Sequence, residues 1–279
     1  MEELIRLALR EDGVNRDLTT LACNLDSPSA KQVRATILAK SKTIACGYPL
    51  VPTILSLAGS ANRLRPFKLA EEGQSLSANA PWIILEGAAS DLLRLERTIL
   101  NFLMRMCGIA MHTRSAIDTL AGTGCKLLHT RKTAPGHRRL DIYSAITGGA
   151  HPHRRSLSES ILVKENHLSA AASIQAIVAG IEKYRAEASF VEIEARDFTE
   201  LKYAMMARPN RILLDNFKVE DVRRTVELFG SSVELEASGG ITLANARAFA
   251  ETGVDYISMG AITHSAPAAD LSMLLDWKP

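Results

Sequence analysis

The 279-residue sequence is poor in cysteine: Cys23, Cys46, Cys107 and Cys125 are its only four, and no two form a C-x-x-C pair. That excludes a zinc ribbon and a disulfide framework, and leaves reduced, mostly buried thiols as the expectation. It also lacks a long unbroken apolar run. The uncharged stretch from Thr43 to Asn62 has the length to span a bilayer, but Gly47, Pro49, Pro52, Gly59 and several hydroxyl residues interrupt it, so it reads as a turn between core elements. The opening MEELIRLALRED has no uninterrupted apolar core of the secretory kind, which makes the cytoplasm the expected location. Nor is there an excess of one charge. Lys and Arg number 33 against 31 Asp and Glu, a formal net charge of +2, which argues against a nucleic-acid coat protein and against an anionic membrane as partner.

What is present is an ordinary globular composition, 47% hydrophobic, on a chain long enough for two modest domains or one barrel-sized domain. The charge is unevenly spread. Between positions 129 and 167 lie seven basic residues (Arg131, Lys132, Arg138, Arg139, Arg154, Arg155, Lys164), three acids (Asp141, Glu159, Glu165) and five of the seven histidines. Residues 2–11 carry apolar positions at helical spacing, and DGVNRD follows with turn formers. VRATILAK (33–40) and the apolar run at 82–85 predict strands of a small mixed region. From 90 to 120 apolar residues recur every three or four positions with a break at Gly108, which predicts two linking helices.

Beyond Gly122 short apolar segments alternate with longer helical ones: KLLHT (126–130), ILVK (161–164), FVEIEA (190–195), RILLDN (211–216), ELEASG (234–239) and YISMG (256–260). Such alternation builds a parallel sheet with crossover helices, and six strands favour a barrel. Polar residues gather where these strands end: Arg131 and Lys132, Lys164, Glu192 and Glu194, Asp215, Ser238 to Gly240, then Gly260 and His264. In β/α barrels that end carries the active site. Arg binds carboxylates and phosphates in a bidentate manner and Lys acts as a mobile point charge, so a mouth of this kind suits a small polyanion. Glu192 and Asp215 are candidates for Mg²⁺, directly or through water, or for sugar hydroxyls. In ASGGIT, ahead of a helix predicted to begin near Leu243, exposed backbone N–H groups suit a terminal phosphate.

The segments RTILNFL, HTRKTAPG, GGAHPHR, ILVKENHL, FVEIEA, LLDNF, EASGGI and GVDYISMGAITHS, in that order, resemble the quinolinate phosphoribosyltransferase family, as does the early EDGVNRDLTT. The resemblance runs from about Leu4 to Ser265. It implies an α/β protein of the type II phosphoribosyltransferase kind: an N-terminal α/β sandwich (1–108, joined by the tail 266–279) and a C-terminal incomplete α/β barrel (109–265), working as a homodimer or a higher assembly of dimers. The implied pentosyl transfer joins quinolinate to 5-phosphoribosyl 1-pyrophosphate and yields nicotinate mononucleotide, pyrophosphate and CO₂, a step of NAD biosynthesis. Carried over by position, Arg131, His153, Arg154 and Lys164 would hold the quinolinate carboxylates, with Arg97 reaching in from a neighbouring subunit. Lys132 would meet the pyrophosphate. Glu192 and Asp215 would take the ribose hydroxyls and Mg²⁺, and Ser238, Gly239, Gly260 and His264 the 5-phosphate.

Four departures from the family pattern stand out. Gly148 and Gly149 are followed by Ala150, His151 and Pro152 where the family has a Gly-rich G-G-G-x-N before His-Arg; Ile142 replaces a lysine; Ser156-Leu157 replaces Gly-Leu; and Arg16 stands at a usual glycine. The GGAHPHR and LSESILV wording is closer to the related ModD-type proteins, encoded beside molybdate transport. The alternative activity is therefore phosphoribosyl transfer to another anionic aromatic acid. Outside the site, Arg138, Arg139 and Arg155 read as solvated charges, and His112, His137 and His167 as structural.

Overall fold

The alternation of large and small apolar residues in VRATILA does form a strand with one buried face, β1 (Gln32–Ala39), on which Ala35, Ile37 and Ala39 are fully buried. The computed structural model describes residues 1–26 and 31–276. Its chain divides into two units. One comprises Met1–His112, Ala134–Gly148 and the chain from Ala266; the other comprises Thr113–Thr133 and Gly149–Ser265. The last three residues of the predicted tail, 277–279, lie outside the described residues.

In the first unit, α1 (Glu2–Glu11) buries Ile5 and Leu9, and α2 (Leu18–Ala22) is capped by Asp17, whose carboxylate accepts the Thr19 N–H. The stretch expected as a turn holds β2 (Thr43–Ile44) and α3 (Leu50–Leu57), while β3 (Leu64–Lys68), β4 (Ser75–Leu76) and β5 (Pro81–Ala88) follow. Together with β12 (Leu271–Leu275), these make an antiparallel sheet in the order β12-β1-β5-β3 and a separate β2-β4 pair. Trp82, Ile83 and Leu85 of β5 join Ile54, Leu92, Ile99 and Leu103 in one core. Residues 90–120 form one helix, α4 (Ala89–Thr119), not two. Gly108 interrupts the hydrophobic pattern because the chain passes against it: a Cβ there would lie 2.1 Å from the carbonyl oxygen of Pro267. The glycine marks a close approach, and the helix continues through it.

α5 (Arg138–Gly148) also belongs to the first unit, although its position in the sequence had placed it within the barrel. Arg105 holds Asp141 through a two-pronged ion pair of 2.8 and 2.7 Å, Leu140 enters the core, and Tyr143 donates to Glu72 at 2.8 Å.

In the second unit β6 (Lys126–Leu128), β7 (Ile161–Val163), β8 (Val191–Ala195), β9 (Arg211–Asp215), β10 (Glu234–Ser238) and β11 (Tyr256–Ser258) form one parallel sheet, ordered β6-β11-β10-β9-β8-β7. The edge strands β6 and β7 are not paired with each other among the described residues, so the barrel is incomplete; His151 makes one parallel bridge to Leu128 on the β6 edge. α6 (Glu165–Ala170), α7 (Ile174–Tyr184), α8 (Phe198–Met206), α9 (Val219–Phe229), α10 (Ala246–Ala250) and α11 (Ala261–His264) follow the strands in turn. Among the described residues no helix is long and apolar enough to cross a membrane. The four cysteines are unpaired, with Cys46 and Cys107 buried.

Candidate active site

Residues at the carboxyl ends of β6, β7, β9, β10 and β11 surround one cavity of about 510 Å³ within the second unit. Arg131, Lys132, His153, Arg154 and Lys164 line one part of it. Asp215, Ser238, Gly239, Gly260 and His264 line the rest. Two predicted residues are absent from this wall. Arg97 is exposed on α4 of the first unit, and Glu192 is fully buried beneath the cavity.

The misplacement of Glu192 has a simple geometric cause. In FVEIEA both glutamates point to the same face of β8, because side chains alternate along a strand. The later one, Glu194, is about 6–7 Å nearer the carboxyl end at the usual rise per residue. Glu194 is the carboxylate that meets a residue of the cavity wall, since Lys164 Nζ donates to it at 2.6 Å. Its charge, after burial, raises the pKa of Asp215, while Lys164 and Asn216 act the other way.

Three cations face the cavity without a carboxylate partner among the described residues. Arg131 keeps a buried, unbonded Nε; Arg154 donates to the carbonyl of Ser160 at 3.2 Å; and Lys132 lies against Gly260, where a Cβ would come within 2.8 Å of its side chain. The pKa of Arg154 is lowered, by burial first and then by the charge of Arg131. Like charges gathered in a partly desolvated cavity repel unless an anion joins them.

The loops that follow β9 and β10 form tight turns. Gly239 has φ +87° and Gly240 +61°, conformations that suit glycine. Ser258 donates to Ser238 Oγ at 2.9 Å. Asn216, itself left-handed at φ +58°, donates its backbone N–H to the Ser238 carbonyl at 2.9 Å and its amide to Asp215 at 2.7 Å. The GGIT turn does not open a helix near Leu243. Asn245 closes it by accepting from Thr242 N–H at 2.7 Å, and α10 begins at Ala246.

Sequence reasoning missed His129 and Glu236, both buried in the cavity wall. His129 accepts the His153 N–H at 3.0 Å, and burial together with the neighbouring His153 holds its pKa down to about 4. Beneath the cavity His153 Nε2 lies 3.0 Å from Glu192 and 3.4 Å from Glu236, and Arg211 reaches Glu236 at 3.2 Å. Burial, and then the Glu236 charge, push Glu192 up to about 7. Burial disfavours the His153 imidazolium, but hydrogen bonds to the two carboxylates outweigh it and raise its pKa. The backbone N–H of Arg154 donates to His153 Nδ1 at 2.7 Å, which requires a lone pair there. Nε2 therefore carries the ring's proton in this geometry, directed at the two carboxylates.

The departures from the family pattern fall away from the cavity wall. His151 and Pro152 are exposed and do not line it, and the His151 N–H donates to Leu127 at 2.7 Å, pinning the loop to β6. Ile142 is buried in the first unit. Arg155 pairs with Glu159 on the surface, and His167 Nδ1 accepts the Lys164 N–H.

Comparison with known proteins adds an independent line. The family models "Quinolinate phosphoribosyl transferase, N-terminal domain" and "C-terminal domain" match residues 17–107 and 109–274. A nicotinate-nucleotide pyrophosphorylase [carboxylating] of Mycobacterium leprae is 34% identical, the match covering 97% of this chain and 95% of that protein. The chloroplastic protein of that name from Oryza sativa subsp. japonica is 33% identical over 99% of this chain and 78% of its own length. Among solved structures, the nicotinate-nucleotide pyrophosphorylase from Francisella tularensis superposes with a TM-score of 0.89 at 32% identity, over 98% of this chain and 95% of that one. NadC from Streptococcus pyogenes gives 0.90 at 28%, over 99% and 96%.

Proposed function

Because the chain belongs to the quinolinate phosphoribosyltransferase family, we propose that it joins quinolinate to 5-phosphoribosyl 1-pyrophosphate, releasing pyrophosphate and CO₂ and leaving nicotinate mononucleotide for NAD biosynthesis. The observation that carries this reading is the group of cations, Arg131, Lys132 and Arg154, that face one cavity without carboxylate partners. A dianionic aromatic acid and a donor with two phosphorylated ends supply the missing negative charge. At an effective dielectric near 20, each close pair of unit charges is worth about 4 kcal/mol at 4 Å.

In this reading Arg131, His153, Arg154 and Lys164 hold the acid, and the glycine turns at Gly239 and Gly260, with Ser238 and His264, receive the 5-phosphate. Lys132 meets the pyrophosphate, and Glu194 accepts a ribose hydroxyl. The ring nitrogen displaces pyrophosphate from the ribose carbon, so the protein contributes orientation and fixed charge, with no residue acting as nucleophile. A raised Asp215 carboxyl beside the Glu194 charge fits a divalent cation, and Asp215 would hold Mg²⁺ there. When bound, that ion would offset the charge of the leaving pyrophosphate. Arg97, exposed on α4, would serve the cavity of a second copy in a homodimer with shared sites.

Purified protein given quinolinate, the ribosyl donor and Mg²⁺ should release nicotinate mononucleotide. Absence of both turnover and quinolinate binding would refute the proposal, and a preference for a monocarboxylate would move the chain to the ModD-type alternative. For the shared site, inactive Arg97→Ala mixed with inactive Lys164→Ala should recover activity in hybrid dimers. No recovery after proven subunit exchange would refute it.

A further inference from the structure

The mechanism above leaves two fully buried carboxylates, Glu192 and Glu236, unused. We propose that they are positioning residues for the aromatic-acid end of the cavity, acting through His153; the inference rests on the activity just proposed.

The segment that carries His153 and Arg154 has little support of its own, since its one ladder contact is the His151 bridge to Leu128. Side chains fix it from below. His153 Nε2 meets Glu192 at 3.0 Å and Glu236 at 3.4 Å, its Nδ1 accepts the Arg154 N–H at 2.7 Å, and its own N–H donates to His129 at 3.0 Å. Every polar group of the His153 ring is thereby committed. The ring also meets Phe190 edge-on, with centroids 5.4 Å apart. Glu236 is anchored in turn by Arg211, whose guanidinium lies 3.8 Å over the Tyr256 ring. A buried arrangement of this kind stabilises a fold less than apolar packing of equal volume does, so its use lies in holding one geometry. The atoms of His153, Glu192 and Glu236 are close enough together to ligate a metal. With Nδ1 accepting a hydrogen bond, however, Nε2 carries the proton, and Arg211 already brings positive charge to Glu236.

The test uses steady-state kinetics of the full chain with both substrates, on Glu192→Gln, His153→Ala and their combination. The KM for quinolinate should rise about tenfold in Glu192→Gln, the scale of one hydrogen bond to a charged group. The KM for the ribosyl donor and the Mg²⁺ requirement should stay within about twofold. In the His153→Ala background the second change should add less than about twofold, since residues acting through one another are not additive. If Glu192→Gln does not fold, His129→Ala, which removes the acceptor of the His153 N–H, should give the same selective rise. Equal effects on both substrates, full additivity, or a stoichiometric metal lost on Glu192→Gln would each overturn the inference. Wild-type turnover without the split overturns it alone, whereas no wild-type turnover on quinolinate overturns the activity on which both rest.

Discussion

Replacing Gly239 with alanine probes the phosphate end of the cavity at its tightest point. A Cβ at 239 would lie 2.3 Å from Asn216 Oδ1, 2.6 Å from its Cγ and 2.8 Å from its backbone N. The last of these is main chain and cannot swing aside. Two costs add. An L side chain at φ +87° costs about 1–2 kcal/mol, and displacing Asn216 forfeits its bond to the Asp215 carboxylate, about 1.5–3 kcal/mol for a hydrogen bond to a charged group. The turn should therefore shift at a total cost of about 3–5 kcal/mol. Gly240→Ala is the control: its φ is +61°, but nothing lies within 4 Å of the added carbon, so only the first cost applies. Denaturant melts should separate the two variants by about 2 kcal/mol. Calorimetric titration with the ribosyl donor should show tenfold or greater weakening for Gly239→Ala, at about 1.4 kcal/mol per tenfold, with little change for quinolinate. Equal stability and equal donor affinity in the two variants would refute the claim that Asn216 sets this turn.

Lys164→Ala and Arg131→Ala should each raise the KM for quinolinate at least tenfold. The melting temperature should hardly move in Lys164→Ala, because Lys164 is half exposed and such pairs stabilise little; near-normal kinetics in both would mean the acid binds elsewhere. Gly108→Ala improves helix propensity by about 1 kcal/mol yet drives a carbon to within 2.1 Å of the Pro267 carbonyl, so chemical denaturation should show a net loss of about 2–4 kcal/mol. A gain in stability would place Gly108 on an open face. His129 has its folded pKa depressed to about 4 from an ordinary 6.5, so its contribution is present above pH 6.5 and is lost as pH falls through 4. That amounts to up to about 3 kcal/mol. Stability measured from pH 7 to 4 should fall less steeply in His129→Gln, and parallel curves would contradict a buried neutral ring.

The barrel was readable because each strand is a short apolar run with a polar residue at its carboxyl end, and all six such runs are strands. The gathering of Arg131, Lys132, Lys164, Asp215, Ser238 and Gly260 round one cavity followed from that periodicity alone. Depth along a strand was less legible. Period-two alternation gives Glu192 and Glu194 the same face, and only the strand's end point separates the mouth from the floor. Glu236 was hidden likewise, two positions before the polar residue that ends β10. Gly108 was read as a helix break because propensity registers only the missing side chain, whereas the neighbour that needs the space is at Pro267, far along the chain. The place of α5 in the first unit goes with the Arg105–Asp141 pair, the Tyr143–Glu72 bond and the packing of Leu140, contacts between distant residues that hydrophobic patterning does not record.

The pairing of β1 with β12 has a consequence for how the molecule is made. Ala35 faces Leu275 across the sheet, so the two strands that meet there are about 240 residues apart in the chain. During synthesis the first unit has its α1 face, β5 and much of α4 early, but β1 keeps an open hydrogen-bonding edge until residues 271–275 appear, after every strand of the barrel has been translated. An unpaired edge beside an apolar face is where nascent chains associate wrongly. The ribosome therefore delivers every strand of the incomplete barrel before the unit that began first is complete. Conditions that slow translation of the final segment should lengthen exposure of that edge and the chain's dependence on chaperones, with the barrel's own sequence unchanged.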